Sequence, residues 1–200
     1  MNITQQHREH IEASLRDKYE KVAAGAPGQF RYPTGETGLE ALGYQRQWYE
    51  RLPRPVRDCF CGVGNPFAMG LPANGDCVLD VGCGCGVDAL LSAGFVGPLG
   101  KAVGLESSQA MLAKARDNAR TAGVVNAEFI DGNAESLPFE NDAFDVITSS
   151  GVYNLVIDKK KALDEAFRVL KPGGRLQVAD QILTGPTPLS VEDMVVSWFT

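Results

Sequence analysis

Apolar residues recur three to four positions apart over residues 5 to 24, at Ile11, Leu15, Tyr19 and Val22. That spacing predicts an amphipathic helix whose single apolar stripe needs a packing partner. A loop rich in Gly and Pro follows (GAPGQFRYPTGETG), then a short helical stretch (LEALGYQRQWYERL), then a turn-rich segment (CFCGVGNPFAMGLPANG). Residues 1–72 contain no clear strand and little continuous apolar sequence, so they read as a helical lid and not as a second full domain. The core is expected to occupy 73–200.

From residue 76 the pattern switches to short, β-rich apolar runs alternating with helical ones. CVLDV precedes VDALLSAGF, AVGLE precedes SQAMLAKARDNARTAG, and AEFID precedes a loop. FDVITSS precedes KKKALDEAFRVL, and RLQVADQIL ends the series. Alternation of this kind predicts βαβ units, hence an α/β fold with a doubly wound, mostly parallel sheet between helices. Gly123 is placed to close one helix, and Lys171-Pro172-Gly173-Gly174 to terminate another.

Composition narrows the class. The chain has 200 residues, 44% hydrophobic and 22% charged, enough for one globular core and unlike a disordered or fibrous chain. It lacks both a spanning apolar run and a secretory leader, which makes a cytoplasmic location the expectation and a membrane partner an unexpected one. The net charge is −6, and the acidic excess lies after residue 72, which disfavours nucleic acid as a partner. Five cysteines (Cys59, Cys61, Cys77, Cys83, Cys85) point to free thiols or a metalloid site more than to a disulfide framework.

The chemistry concentrates in Asp80-Val81-Gly82-Cys83-Gly84-Cys85-Gly86, between a strand and a helix. Its glycines permit a sharp turn and bring backbone amides against a ligand beside a helix N-terminus. A bare βα turn and a dinucleotide site are the alternatives for this loop alone. Further features lie downstream. Glu106 ends the next strand, where an acidic side chain accepts from both ribose hydroxyls. Gly132-Asn133-Ala134-Glu135 offers an amide side chain and backbone amides at the height of an adenine ring, and Leu170-Lys171-Pro172-Gly173-Gly174 precedes the fifth strand.

In this order, over residues 73 to 183, these pieces resemble class I S-adenosylmethionine (SAM) dependent methyltransferases with a Rossmann-like core. The resemblance implies SAM as cofactor, with Asp80, Gly82, Gly84 and Gly86 at its methionine end, Glu106 at the ribose, Asn133 and Ala134 at the adenine, and Ser149 also on the cofactor. Catalysis then needs alignment and exclusion of water more than an acid–base pair, so His7 and His10 read as surface residues.

The lid resembles the N-terminal region of arsenite methyltransferases through LRDKYEKVA, FRYPTGETGLEALGY and Cys61-Gly62-Val63-Gly64-Asn65-Pro66, with SSGVYNL continuing the match in the core. That resemblance implies a metalloid acceptor held by thiolates, with Cys61 as the acceptor-side thiol and Cys59 as its helper. The other reading of the pair, two small half-buried loop residues, stays open. Cys61 is expected to be more reactive than Cys77, which is assigned to the core, while Cys83 and Cys85 fill the cofactor loop. A zinc site from the two CxC pairs lacks the usual spacing, and no metal site is expected. One departure stands out, because Gly151 occupies the position where the family carries a further cysteine.

Two alternatives accompany arsenite methylation: a small-molecule C-methyltransferase of the quinone-biosynthesis type, and a SAM-binding or metalloid-binding protein without turnover. The sequence breaks off in an apolar run ending at Trp198, Phe199 and Thr200. The resemblance implies two further strands and a cysteine just beyond, so truncation just before it is expected, by design or at a selenocysteine codon, with a domain boundary chosen or cleaved for other reasons as the alternative. A sheet ending at RLQVADQIL would offer an open edge for self-association.

Overall fold

The structure is a computed structural model that describes residues 3–25, 28–182 and 185. Five parallel strands form one sheet in the order β3-β2-β1-β4-β5. They are β1 (Cys77–Val81), β2 (Lys101–Glu106), β3 (Ala127–Asp131), β4 (Phe144–Ser150) and β5 (Leu170–Ala179). Helices α1 (Gln5–Ala24), α2 (Gly35–Ala41), α3 (Arg46–Tyr49) and α4 (Arg54–Arg57) precede the sheet, whereas α5 (Val87–Val96), α6 (Gln109–Ala122) and α7 (Lys159–Val169) are the crossovers. The strand order reverses between β1 and β4. In open α/β sheets that reversal leaves a crevice at the carboxyl ends of the strands, where ligands bind.

Each crossover is built from local signals. Ser108 caps α6 by accepting from the Met111 amide, and Gly123 closes it at φ +66°, a left-handed conformation that glycine adopts freely. Asp158 caps α7 by accepting from the Lys161 amide. At α1, Thr4 and His7 form a reciprocal capping box, so His7 holds a helix end as well as lying at the surface.

The apolar stripe of α1 has its partner. Ile11 and Val22 are buried, Leu15 and Tyr19 are half-buried, and the helix packs against α6. The lid has no core of its own. Its Leu39, Tyr44, Tyr49, Val56, Phe60 and Phe67 join residues of α5 and α6 in one buried cluster. Phe67 meets Phe95 of α5 edge-on at 5.1 Å, and Trp48 meets the same ring at 5.5 Å. The opposite face of the sheet is covered by α7 through Ala162, Ala166 and Val169.

Two expected boundaries move. The stretch LEALGYQRQWYERL is broken at Gly43, φ +75°, so that α2 and α3 are separate helices. Lys171-Pro172-Gly173-Gly174 lies inside β5 as a bulge, where the pairing jumps from Phe144 with Leu170 to Val146 with Arg175. The Asp145 carboxylate pins this bulge, accepting from Lys171 Nζ at 2.7 Å and from the Cys77 amide at 2.8 Å. The apolar run at 194–200, with Trp198, lies outside the described residues. Among the described residues no helix is long and apolar enough to cross a membrane.

Candidate active site at the carboxyl ends of the strands

A cavity of about 520 Å³ opens where β1 and β4 diverge. Its floor is the loop from Asp80 to Cys85, its sides include Glu106, Asn133 and Ala134, and its roof comes from Lys18, Tyr19, Tyr32 and Cys61 of the lid. The chain therefore brings most of the residues singled out in its sequence to one hollow.

The floor is shaped by glycine. Gly82, Gly84 and Gly86 have φ of +69°, +55° and +86°. A Cβ on Gly82 would lie 2.3 Å from Val152 Cγ2, and one on Gly86 would lie 2.8 Å from the ring of Phe129. Only glycine satisfies both the dihedral and the space. Glu106 braces the loop from β2: one carboxylate oxygen accepts from the Gly84 amide at 2.9 Å and the other from the Ser108 amide at 2.8 Å.

Asp80 is 3% exposed. One of its oxygens accepts from Thr148 Oγ1 at 3.0 Å, and the other is buried without a partner among the described residues. A buried acceptor left open on a cavity wall is costly unless a ligand donates to it. Burial raises the pKa of Asp80, with Asp88 adding like-charge repulsion, and burial likewise raises that of Glu106. Asp88, from the first turn of α5, is pushed up to about 7, mainly by burial and against the hydrogen bond from Tyr44. Three desolvated carboxyl groups, an open acceptor and a glycine floor fit a cationic nucleoside such as SAM.

Asn133 Oδ1 already accepts from the Glu135 amide at 2.8 Å, which fixes its side chain beside Ala134. Glu135 in turn pairs with Arg8 of α1 at 2.9 Å, tying lid to rim. Ser149 departs from its expected place. It is fully buried, donates to the Val81 carbonyl at 3.0 Å and does not line the cavity. Alternation along β4 turns the next residue, Ser150, toward the lid instead, where its Oγ accepts from the amides of Val63 and Gly64 at 3.1 and 3.3 Å.

The two lid cysteines separate. Cys61 lines the cavity, and its carbonyl accepts from the Tyr32 hydroxyl at 3.1 Å. Cys59 faces a second cavity, of about 210 Å³, with Cys85, Met111 and Lys114. Burial pushes the Cys61 thiol up to about 12, reinforced by Glu106 and Asp88. The neighbouring Cys85 side chain brings Cys59 down to about 6, while the Cys85 thiol itself donates to the Cys59 carbonyl at 2.8 Å. Cys77 is half-buried at the start of β1 with its pKa raised by burial. The expected ranking of Cys61 above Cys77 in reactivity thus finds no support, because burial raises the pKa of both thiols, whereas that of Cys59 is drawn down.

Sequence reasoning passed over Asp88, Tyr44, Tyr19 and Tyr32. Local spacing marks Tyr19 only as part of the apolar stripe of α1 and the others not at all, and the three tyrosines meet the cavity or its wall only after the lid folds over α5. Gly151, φ +72°, lies against Val63, where an added Cβ would stand 3.0 Å from Val63 Cγ2.

The fold and this site define a SAM-dependent methyltransferase domain of class I. The chain belongs to the methyltransferase domain family, which matches residues 73–198. It is 36% identical over 159 residues, 80% of the chain, to the arsenite methyltransferase of Halobacterium salinarum, of which it covers 40%. It is 42% identical over 107 residues, 53% of the chain, to the ubiquinone/menaquinone biosynthesis C-methyltransferase UbiE of a Marinomonas species, of which it covers 43%. Among solved structures it resembles CrArsM, an arsenic(III) S-adenosylmethionine methyltransferase from Chlamydomonas reinhardtii, at 37% identity and a TM-score of 0.61. That match covers 68% of the chain and 48% of CrArsM. The chain thus spans less than half the length of these three relatives.

Proposed function

We propose that this protein transfers a methyl group from SAM to trivalent arsenic. The observation that carries this reading is the presence of Cys61 on the wall of the same cavity as Asp80, Glu106 and the glycine loop. Bound there, SAM supplies a methyl group already activated on a sulfonium.

The chain's own residues bind, orient and exclude water. Asp80 presents its open oxygen, and the glycine loop presents amides, to the methionine end. Glu106 retains lone pairs for the ribose hydroxyls while bracing the loop. Asn133 and the Ala134 amide face the adenine, and Gly151 and Ser150 take the position assigned to Ser149. Tyr19, Tyr32 and Phe60 roof the acceptor side and keep it dry, which preserves the alignment that methyl transfer needs. Cys61 is the soft ligand for the acceptor, and exchange of its thiol for an arsenic-bound hydroxyl releases water. Cys59, turned to the second cavity, is not a ligand in this arrangement.

A second reading, C-methylation of a quinol-like acceptor, draws on the aromatic roof and on the 42% identity of the UbiE match. A turnover assay for S-adenosylhomocysteine separates the two. Arsenite with excess thiol supports product formation in the first case and quinols do so in the second, and binding without product in either leaves a sequestering protein. Cys61→Ser abolishes arsenite-dependent turnover in the first case and leaves quinol turnover intact in the second. The cytoplasmic setting and self-association through the edge of β5 belong to this proposal as well.

A further inference from the structure

The Cys85 thiol donates to the carbonyl oxygen of Cys59 at 2.8 Å, the Cys59 thiol donates to the Pro55 carbonyl at 3.1 Å, and both residues line the same small cavity. One belongs to the lid segment after α4, the other to the cofactor loop. Both are free, and neither has a part in the methyl transfer proposed above. Cys85 stands as a partition, lining the large cavity on one side and the small one on the other. The small cavity, about 210 Å³, admits a molecule the size of hydrogen peroxide to Cys59.

We propose that Cys59 and Cys85 form a peroxide-sensitive dithiol whose disulfide ties the lid to the cofactor loop. The Cys59 sulfur attacks one peroxide oxygen. The O–O bond breaks, one water leaves with the thiol proton, and Cys59 becomes a sulfenic acid. The Cys85 sulfur then attacks the Cys59 sulfur, the S–O bond breaks, and hydroxide departs with the second thiol proton as water. Two thiols lose two hydrogens and two electrons, and one peroxide is reduced to two waters.

The bond has a consequence for the loop. Forming a covalent S–S bond of about 2.05 Å takes the Cys85 sulfur off the Cys59 carbonyl and the Cys59 sulfur off the Pro55 carbonyl, and so displaces the backbone around Cys85. That backbone is held on both sides: the Cys85 carbonyl accepts from Asn118 Nδ2 at 2.9 Å, and the neighbouring Gly84 amide donates to Glu106. Oxidation therefore distorts the floor on which SAM is expected to sit. This second half rests on the proposed cofactor site, whereas the cross-link itself does not.

The test treats the 200-residue chain with hydrogen peroxide, blocks remaining thiols with iodoacetamide and maps peptides without reduction. A Cys59–Cys85 linked peptide, lighter by two hydrogens, is expected. SAM affinity by calorimetry should fall roughly tenfold, the scale of one lost charge-assisted hydrogen bond, and return with dithiothreitol. Cys59→Ser and Cys85→Ser should each bind SAM with an affinity that peroxide does not change. Cys59 carried to the sulfinic acid with Cys85 free, or a bond to Cys61 instead, overturns the dithiol. A Cys59–Cys85 bond with unchanged SAM affinity overturns its coupling to the loop. Reduced protein that binds no SAM refutes the cofactor site, and the peptide map then decides the dithiol alone.

Discussion

The hydroxyl of Tyr44 reaches both carboxylate oxygens of Asp88, at 3.0 and 3.1 Å, and lies 3.2 Å from the Gly64 carbonyl. A lid residue thereby satisfies a buried acid in the first turn of α5, directly behind the cofactor loop. The lid is held by polar complementarity here and by aromatic packing at Phe67.

Removing that hydroxyl tests the tether. Tyr44→Phe keeps the ring among Phe60 and Phe67 but strips a buried carboxyl group of its donor. A loss of about 1 to 3 kcal/mol in unfolding free energy is expected, read from denaturant midpoints. No change in stability would mean that Asp88 finds another donor.

Asp88 also sets a pH dependence. Its folded pKa, about 7, lies above the ordinary aspartate value of 3.8, so the folded state binds the extra proton. Its contribution to stability is complete below about pH 4 and is lost as pH rises toward and through 7. The melting temperature of the ligand-free protein, followed from pH 5 to 8, should fall more steeply for wild type than for Asp88→Asn. Parallel curves would show that Asp88 titrates normally.

Cofactor binding should run the other way with pH. A cationic ligand favours ionised Asp80, Asp88 and Glu106, so SAM binding near pH 6.5 is expected to release protons. Calorimetry in buffers of different ionisation enthalpy measures that release directly, and a buffer-independent enthalpy would contradict it.

Glu106 couples ligand and loop. Glu106→Ala removes the acceptor for two backbone amides and for the expected ribose hydroxyls, and should weaken SAM binding by about 1.5 to 3 kcal/mol. Unchanged affinity in a folded variant would remove the cofactor assignment.

Thiol labelling ranks the lid cysteines. Iodoacetamide at neutral pH should modify Cys59 before Cys61, because one thiol is drawn down to about 6 and the other pushed up to about 12. Mass spectrometry of partially labelled protein gives the order, and Cys61 first would reverse this account of the two sites.

Gly151 closes off a simple repair of the acceptor site. Gly151→Cys would add the thiol found there in the resembling family, yet at φ +72° and with Val63 at 3.0 Å it should cost about 1 to 2 kcal/mol. Adding Val63→Ala should recover the steric part alone, as thermal denaturation of the two variants can establish.

Local pattern alone settled the parallel α/β fold, because period-2 and period-3.6 runs alternate from residue 76, and helix ends such as Gly123 carry their own signal. The glycine loop and Glu106 were legible for the same reason: a tight βα turn demands glycine wherever it occurs, and a strand end fixes where an acid can point. Tertiary structure alone decided the direction of Ser149, whose neighbour Ser150 faces the lid because side chains alternate along β4. It also placed Lys171-Pro172-Gly173-Gly174 in a bulge, through the contacts of Asp145. Above all it separated Cys59 from Cys61. Two residues apart in sequence, they are sent to different cavities by the packing of the lid on α5 and α6, and only that packing gives Cys59 its partner Cys85 and Asp88 its partner Tyr44. Such pairings join residues 26 and 44 positions apart, so no local spacing encodes them.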